Sequence, residues 1–309
     1  MIKYFYKNLR SKQLEELAQY KPGTWVYVEA PKETELDDLV QRFSLTKGHL
    51  EDALDEDEMP RLEKEGDQSY IFVRFTHRES DGSFVTVPLL IVTGKDLLIT
   101  VSLARLPSLD SFMSGKISFA TTQRAKLILL ILQQITEQYD LLIGQTSKKI
   151  KAIRSRLRGH EITDQDFLDF VMIDDELNEF LSSLQPTNAT LRRLLLGRYM
   201  PLFAEDQDIV EDLLLGNEQS IEACSSNIKS IVGIREAHSS ISSNSLNRTM
   251  KLLTTATLGI AIPNVFFGLY SMNVALPLKS ESYMFWIIIG FTVVVTATVF
   301  IIGRRKRIF

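Results

Sequence analysis

Between Leu252 and Leu278, and again between Ser282 and Gly303, the chain carries no charged residue. A helix rising about 1.5 Å per residue crosses a hydrocarbon core of about 30 Å in about 20 residues. Each stretch is therefore long enough to span a bilayer. The first span is read at about 252–270, in LLTTATLGIAIPNVFFGLY, and the second at about 283–303, in YMFWIIIGFTVVVTATVFII. Tyr283 and Trp286 stand at one end of the second span, where an aromatic belt would lie. Two such runs separated by a short connection are unusual in a soluble core, so a membrane domain is expected at 252–309.

Lys and Arg placement sets the expected orientation. Arg248 and Lys251 precede the first span, Arg304-Arg305-Lys306-Arg307 close the second, and the connection SMNVALPLKSES holds only Lys279. Positive charge stays on the cytoplasmic side, so both termini are expected to be cytoplasmic and the protein to sit in the plasma or inner membrane. The N-terminal stretch MIKYFYKNLRSKQLEEL is charged throughout and has no apolar h-region, so no signal peptide is expected.

The rest of the chain is different in kind. Residues 1–247 hold 28 basic and 38 acidic side chains, a net charge of −10. That balance argues against nucleic acid, which needs clustered Lys and Arg. One cysteine, Cys224, excludes an intrachain disulfide framework and a multi-cysteine metal site. The four histidines show no HExxH or paired spacing, and there is no phosphate-binding loop, nucleophile elbow or triad, so no enzyme is expected.

Residues 1–118 read as a cytoplasmic α/β domain. Strands are expected at 24–30, 69–80, 84–94 and 96–102, with Asp81-Gly82 marking a hairpin. Helices are expected at 10–20, 33–43 and 46–55, and the acidic run 51–65 as a solvated helix end and turn. Residues 119–251 read as long cytoplasmic helices: one over about 120–158, one over about 163–185 with Pro186 at its end, a helical continuation through TNATLRRLLLGRYM to Pro201, and one from about 205 into the first span. The basic run 148–158 reads as a solvated helix face over buried Ile150, Ile153 and Leu157.

The two spans differ. The second is uniformly apolar, whereas the first contains threonines, glycines, Pro263 and Asn264. Polar groups in a membrane usually face protein or water. At three- and four-residue steps, Asn247, Met250, Leu253, Thr257, Ala261, Asn264 and Gly268 share one face. Such a face serves either a pore axis shared by several copies or a Thr/Gly helix-packing seam.

The end of the first span, Tyr270-Ser271-Met272-Asn273, resembles the Tyr-Gly-Met-Asn signature of the CorA family of divalent cation transporters. Asn247, Met250-Lys251, Thr254 through Pro263, the basic end 304–307 and the stretches Leu50-Glu51-Asp52-Ala53-Leu54 and Pro60-Arg61-Leu62-Glu63 support it, and the likeness covers nearly the whole chain. The resemblance implies a homopentameric funnel of α+β class with an N-terminal α/β domain, a long helical stalk and two C-terminal transmembrane helices. It implies passage of hydrated Mg²⁺, and of Co²⁺ or Ni²⁺, driven by membrane potential. Tyr270, Ser271, Met272 and Asn273 would form the selectivity filter, with Asn273 meeting the hydrated ion. The seven-residue face would line the pore. It also implies Mg²⁺ as a regulatory ligand between subunits, with Asp212 and Asp208 on the stalk helix. The partner carboxylate would fall at His77-Arg78, where the chain has none. Ser271 departs from the family glycine, adding a Cβ and a hydroxyl. The rival implications are a Zn²⁺ transporter of the ZntB type and a non-conducting scaffold or cation sensor with the same fold.

Overall fold

The computed structural model describes residues 1–11, 13–80, 82–106, 109–158, 162–272 and 283–306. The chain divides into two compact units, Met1–Gly233 and Ile234–Phe309.

In the first unit, seven strands form one sheet: β1 (Ile2–Tyr6), β2 (Glu15–Leu17), β3 (Trp25–Glu29), β4 (Arg61–Glu65), β5 (Gln68–Arg78), β6 (Phe84–Thr93) and β7 (Leu98–Ser102). Their spatial order is β2-β1-β3-β7-β6-β5-β4. Only β3 and β7 run parallel, with Val26 opposite Ile99; every other neighbouring pair is antiparallel. The central strands read as continuous apolar runs because both sheet faces are covered. One set of alternate residues, including Val26, Val28, Tyr70, Phe72, Leu90, Val92, Ile99 and Val101, packs with Leu36 and Leu39 of helix α1 (Glu33–Phe43) and Leu50 of α2 (Lys47–Asp52). The other set faces the long helices α4 (Arg124–Arg158) and α5 (Asp164–Leu195), which lie against β4, β5 and β6. A short α3 (Leu109–Met113) adds Phe112 beside Trp25, ring centroids 5.8 Å apart.

Three local expectations fail. The helix expected at 10–20 is strand β2, whose Leu17 pairs with Tyr4 at the sheet edge. The acidic run 51–65 ends its helix at Asp52 and becomes strand β4, in which Leu62 alone is buried. Pairing with β5 overrides the polar composition of RLEKE. Helix α5 runs through Pro186 without the break expected there, and ends at Leu195, short of the helical continuation expected to Pro201. Proline removes one backbone donor, the one that would reach the Ser182 carbonyl, while the next carbonyls are held from outside the backbone ladder: Thr187 Oγ1 donates to that of Ser183 at 2.8 Å and Asn217 Nδ2 to that of Leu184 at 2.9 Å. Buried Leu184, Leu191 and Leu194 hold the helix on both sides of the proline. In the basic run, Ile150 and Ile153 are buried while Leu157 is half-exposed.

Helix α5 starts with a reciprocal cap. Asp166 N donates to Thr163 Oγ1, and Asp166 Oδ2 accepts from Thr163 N at 2.9 Å. Asp166 Oδ1 also accepts from Arg156 of α4. The Thr163 N–H, with the Arg156 guanidinium behind it, holds this carboxyl below the usual range. A depressed folded-state pKa contributes stability above the ordinary value of about 3.9 and loses it as pH falls through the depressed one. Asp166→Asn keeps a capping oxygen and removes the charge. Its melting temperature should lie a few degrees under wild type at neutral pH, with the gap closing below about pH 4. A gap that does not change with pH would assign the role to shape rather than charge.

Helix α6 (Ala204–Ser271) contributes to both units, and α7 (Met284–Arg305) belongs to the second. Both are long and apolar enough to cross a membrane. In the second unit α6 and α7 pack antiparallel. Phe266 meets Phe291 edge-on at 5.3 Å, and Gly259 lies under Phe300, whose ring would stand 3.5 Å from any Cβ placed there. An alanine methyl there would make an ordinary van der Waals contact with the ring, so this pair marks where the two helices meet. Beside them, Pro263, Phe267, Ile289, Thr292, Val293, Thr296 and Ala297 line a slot of about 370 Å³.

Candidate functional site

The seven residues Asn247, Met250, Leu253, Thr257, Ala261, Asn264 and Gly268 all lie exposed on α6. At about 100° per residue they occupy one arc of the helix. The residues that meet α7, Gly259 and Phe266, and Pro263 beside the slot, fall on the opposite arc. Helix α7 therefore leaves the mixed polar face uncovered.

The chemistry of that face is neutral. Thr254 and Thr257 on it, and Thr255 on the other arc, each donate to the carbonyl four residues earlier, at 2.8, 2.9 and 2.7 Å. This back-bonding consumes each hydroxyl proton and leaves the oxygen lone pairs free to accept. Asn247 and Asn264 make no hydrogen bond within the chain among the described residues. Met250 and Leu253, one turn apart, are 53% and 61% exposed. Such a surface can hydrogen-bond a water shell and can close by dewetting at its apolar turn, but it cannot hold a bare metal ion by charge.

Tyr270 and Ser271 close α6 and Met272 follows, its N–H reaching the Leu269 carbonyl at 3.4 Å. The Ser271 hydroxyl donates to the Gly268 carbonyl at 2.8 Å, tying the departure from glycine into the last helical turn. Asn273, the residue assigned to meet the ion, lies outside the described residues, as do Lys279 and Arg307.

Asp208 and Asp212 are exposed one turn apart near the start of α6. Asp212 faces a groove of about 400 Å³ together with Glu137 and Asp140 of α4, while Asp208 is not part of that groove. Glu137 already accepts from Gln133 and Gln134, at 2.9 and 2.8 Å. Among the described residues no group of three or more His, Cys, Asp or Glu is close enough to hold a metal ion. Glu137 and Asp140 were not singled out by sequence. Their only signal is a three-residue spacing on the polar side of α4, which is common in solvated helices.

Comparison with known proteins gives the family. Residues 21–305 match the CorA-like Mg²⁺ transporter proteins. The chain belongs to this family. It is 27% identical over 293 residues to the cobalt/magnesium transport protein CorA of Methanocaldococcus jannaschii, covering 91% of this chain and 90% of that relative. The complete structure of that archaeal CorA magnesium transporter superposes with a TM-score of 0.84 at 24% identity, over 99% of this chain and 98% of that one. The full-length CmaX protein follows at 0.79 and 20% identity, over 99% and 97%. The cytoplasmic domain of ZntB from Vibrio parahaemolyticus aligns at 0.65 and 9% identity, over 79% of this chain and 99% of that domain. At these identities the structural likenesses establish the fold. The CorA fold class read from sequence stands: an N-terminal α/β domain, long helices and two apolar C-terminal helices. The family is one of transporters rather than enzymes.

Proposed function

We propose that this CorA-family chain is the subunit of a homopentameric membrane channel for hydrated divalent cations, Mg²⁺ first, with Co²⁺ and Ni²⁺ as further substrates. The observation that carries this reading is the uncovered, charge-free face of α6 opposite its packing with α7. One helix cannot enclose a path, so copies of that face around an axis supply the wall. Asn247, Met250, Leu253, Thr257, Ala261, Asn264 and Gly268 line it, and Tyr270 to Asn273 form its outer mouth. Mg²⁺ sheds water reluctantly and keeps several waters when bound. Neutral oxygens can accept from that shell and release it again. A divalent ion gains about 4.6 kcal/mol per 100 mV, so membrane potential suffices as the drive. Met250 and Leu253 act as the constriction. Asp212, with Asp208 near it, is the candidate for a regulatory Mg²⁺ shared between copies. Both termini face the cytoplasm.

Proteoliposomes with an imposed potential test the reading. Mg²⁺ dye entry that rises with inside-negative potential and needs no proton gradient supports the channel. The Ser271 departure and the shared fold with the ZntB cytoplasmic domain motivate one alternative, a proton-coupled Zn²⁺ carrier. In that case Zn²⁺ would enter and internal pH would follow it. No flux of Mg²⁺, Co²⁺, Ni²⁺ or Zn²⁺ would leave a scaffold or sensor. Ser271→Gly removes a hydroxyl bond worth about 1 kcal/mol and relaxes the last turn. We expect Mg²⁺ entry to rise by about fivefold. Unchanged entry would mean that the serine does not restrict conduction.

A further inference from the structure

Away from the membrane unit, two adjoining cavities of about 620 and 560 Å³ open between the β6–β7 turn, the start of α4 and the segment joining α5 to α6. They share Thr93, Gly94, Arg124, Met200 and Pro201. Each is within the size range of small-molecule sites. Three features set this place apart on a strongly acidic body.

The first is unpaired positive charge. Lys95, Lys126 and Arg198 line the cavities, and none has a carboxylate partner among the described residues. Arg124 reaches Asp96 only at 3.7 Å, and Lys64 donates to the Arg198 carbonyl rather than to an acid.

The second is a buried carboxylate with one free oxygen. Asp206 lines the larger cavity and is 6% exposed. Its Oδ2 accepts from Phe203 N at 3.1 Å, while Oδ1 has no partner among the described residues. Oδ1 is not among the orphaned polar atoms sealed in the interior, so it keeps some contact with solvent on a residue that lines the cavity. Glu205 stands beside it in the same wall.

The third is Phe203, in the wall of the larger cavity and 78% exposed, the most exposed large apolar side chain among the described residues. A single exposed aromatic is ordinary on a surface, but this one offers a flat apolar face at the edge of a charged cavity.

An anion alone would suit the cations but be repelled by Asp206 and Glu205 of the larger cavity and Asp67 of the smaller, and a metal ion alone would be repelled by the cations. A metal–polyphosphate satisfies both, because Mg²⁺ is usually held by one or two carboxylates together with the phosphates of its ligand. A flat ring on that ligand accounts for Phe203. We propose that this cavity binds a nucleoside polyphosphate with its divalent cation. Arg124, Lys95, Lys126 and Arg198 receive the phosphates, Asp206 Oδ1 and Glu205 receive the metal, and Phe203 stacks on the base. The site is separate from the ion path and from Asp208 and Asp212. Helix α6 begins in its wall.

The test uses the full-length protein in detergent micelles and equilibrium dialysis against labelled ATP, so it needs no transport. We expect saturable binding of magnesium ATP, weakened at least about fivefold by EDTA. Lys95→Glu with Lys126→Glu should weaken it at least about tenfold, a loss of about 1.4 kcal/mol. Asp206→Asn keeps an oxygen for the Phe203 N–H, so the fold survives, checked by circular dichroism, and binding should lose its dependence on magnesium. Phe203→Ala should weaken ATP about tenfold, within the range for base stacking, and leave magnesium pyrophosphate unchanged. Absence of saturable ATP binding, or binding indifferent to both charge reversals, overturns the site. Pyrophosphate binding as tight as ATP, with no effect of Phe203→Ala, overturns its nucleoside specificity.

Discussion

Asn273→Ala should abolish Mg²⁺ entry into proteoliposomes while leaving the assembly intact by light scattering. If the chain is the channel subunit proposed above, Asn273 follows the end of α6 at the mouth of the path, and each copy contributes one amide oxygen to a ring. The ion arriving there is still hydrated, so the ring holds it through hydrogen bonds from its waters. Bonds to such a charged partner are worth about 1.5–3 kcal/mol each. Alanine removes every one of them and puts methyl groups in their place. Loss of about 3 kcal/mol from the step that captures the ion corresponds to a fall of more than about a hundredfold in rate. Asn273→Asp is the informative companion. A ring of carboxylates should capture the ion more tightly and release it slowly, so that entry saturates at lower Mg²⁺ and at a lower maximum. Wild-type entry through Asn273→Ala would remove the mouth from the mechanism and with it the reading of Tyr270 to Asn273 as a filter.

The parts of this molecule legible in its sequence are those in which one physical force acts alone. The apolar spans needed only length and charge, and the structure places helix there: the end of α6 and all of α7. Strands β3, β5, β6 and β7 announced themselves as apolar runs because they are covered on both faces. Strands β2 and β4 did not, because EEL and RLEKE bury almost nothing of their own and are strands through the neighbours they pair with. Pro186 reads as a stop because the local cost of proline is plain in sequence, whereas the burial of Leu184, Leu191 and Leu194 that holds the helix on both sides of it is not. On α6 the seven-residue face is a spacing that anyone can count. Which arc meets α7 is not countable, since both arcs are mostly apolar, and the choice depends on Gly259 beneath Phe300 and on Phe266 against Phe291. The grouping of Lys95, Lys126, Arg198 and Asp206 around one cavity was invisible for a different reason. These residues come from segments up to about a hundred positions apart, and no periodic pattern connects them.

Arg74→Ala should be the most damaging single truncation in the first unit. The residue sits in β5, whose apolar run gives no hint that an arginine in its midst has somewhere to go. Its side chain is 7% exposed, and every donor it uses is matched. Nε donates to Thr86 Oγ1 at 2.7 Å, Nη1 to the carbonyls of Glu56 and Glu58 at 2.7 and 2.8 Å, and Nη2 to the Thr86 carbonyl at 2.6 Å, with Glu179 Oε1 at 3.5 Å. Thr86 passes the connection on, donating its hydroxyl to Glu179 Oε1 at 2.5 Å. The Arg74 carbonyl in turn accepts from the buried Tyr139 hydroxyl of α4 at 3.3 Å. One guanidinium thus ties β5 to β6, to the 56–58 loop and to α5. Alanine takes the guanidinium from those carbonyls and the cation from beside Glu179, which keeps only its Thr86 donors, and removing one partner of a buried charge pair costs about 3–5 kcal/mol. Glu179 is itself more than a third exposed, so the lower part of that range is the better expectation. For a unit of this size each kcal/mol moves the melting temperature about 2–4 °C, and a fall of about 6–12 °C should appear in a thermal melt. Arg74→Lys keeps the charge but cannot reproduce the fork, so it should fall between alanine and wild type. An alanine variant that melts within about 2 °C of wild type would show that water replaces the guanidinium at no cost, and that the pinning of the 56–58 loop is geometry without energy.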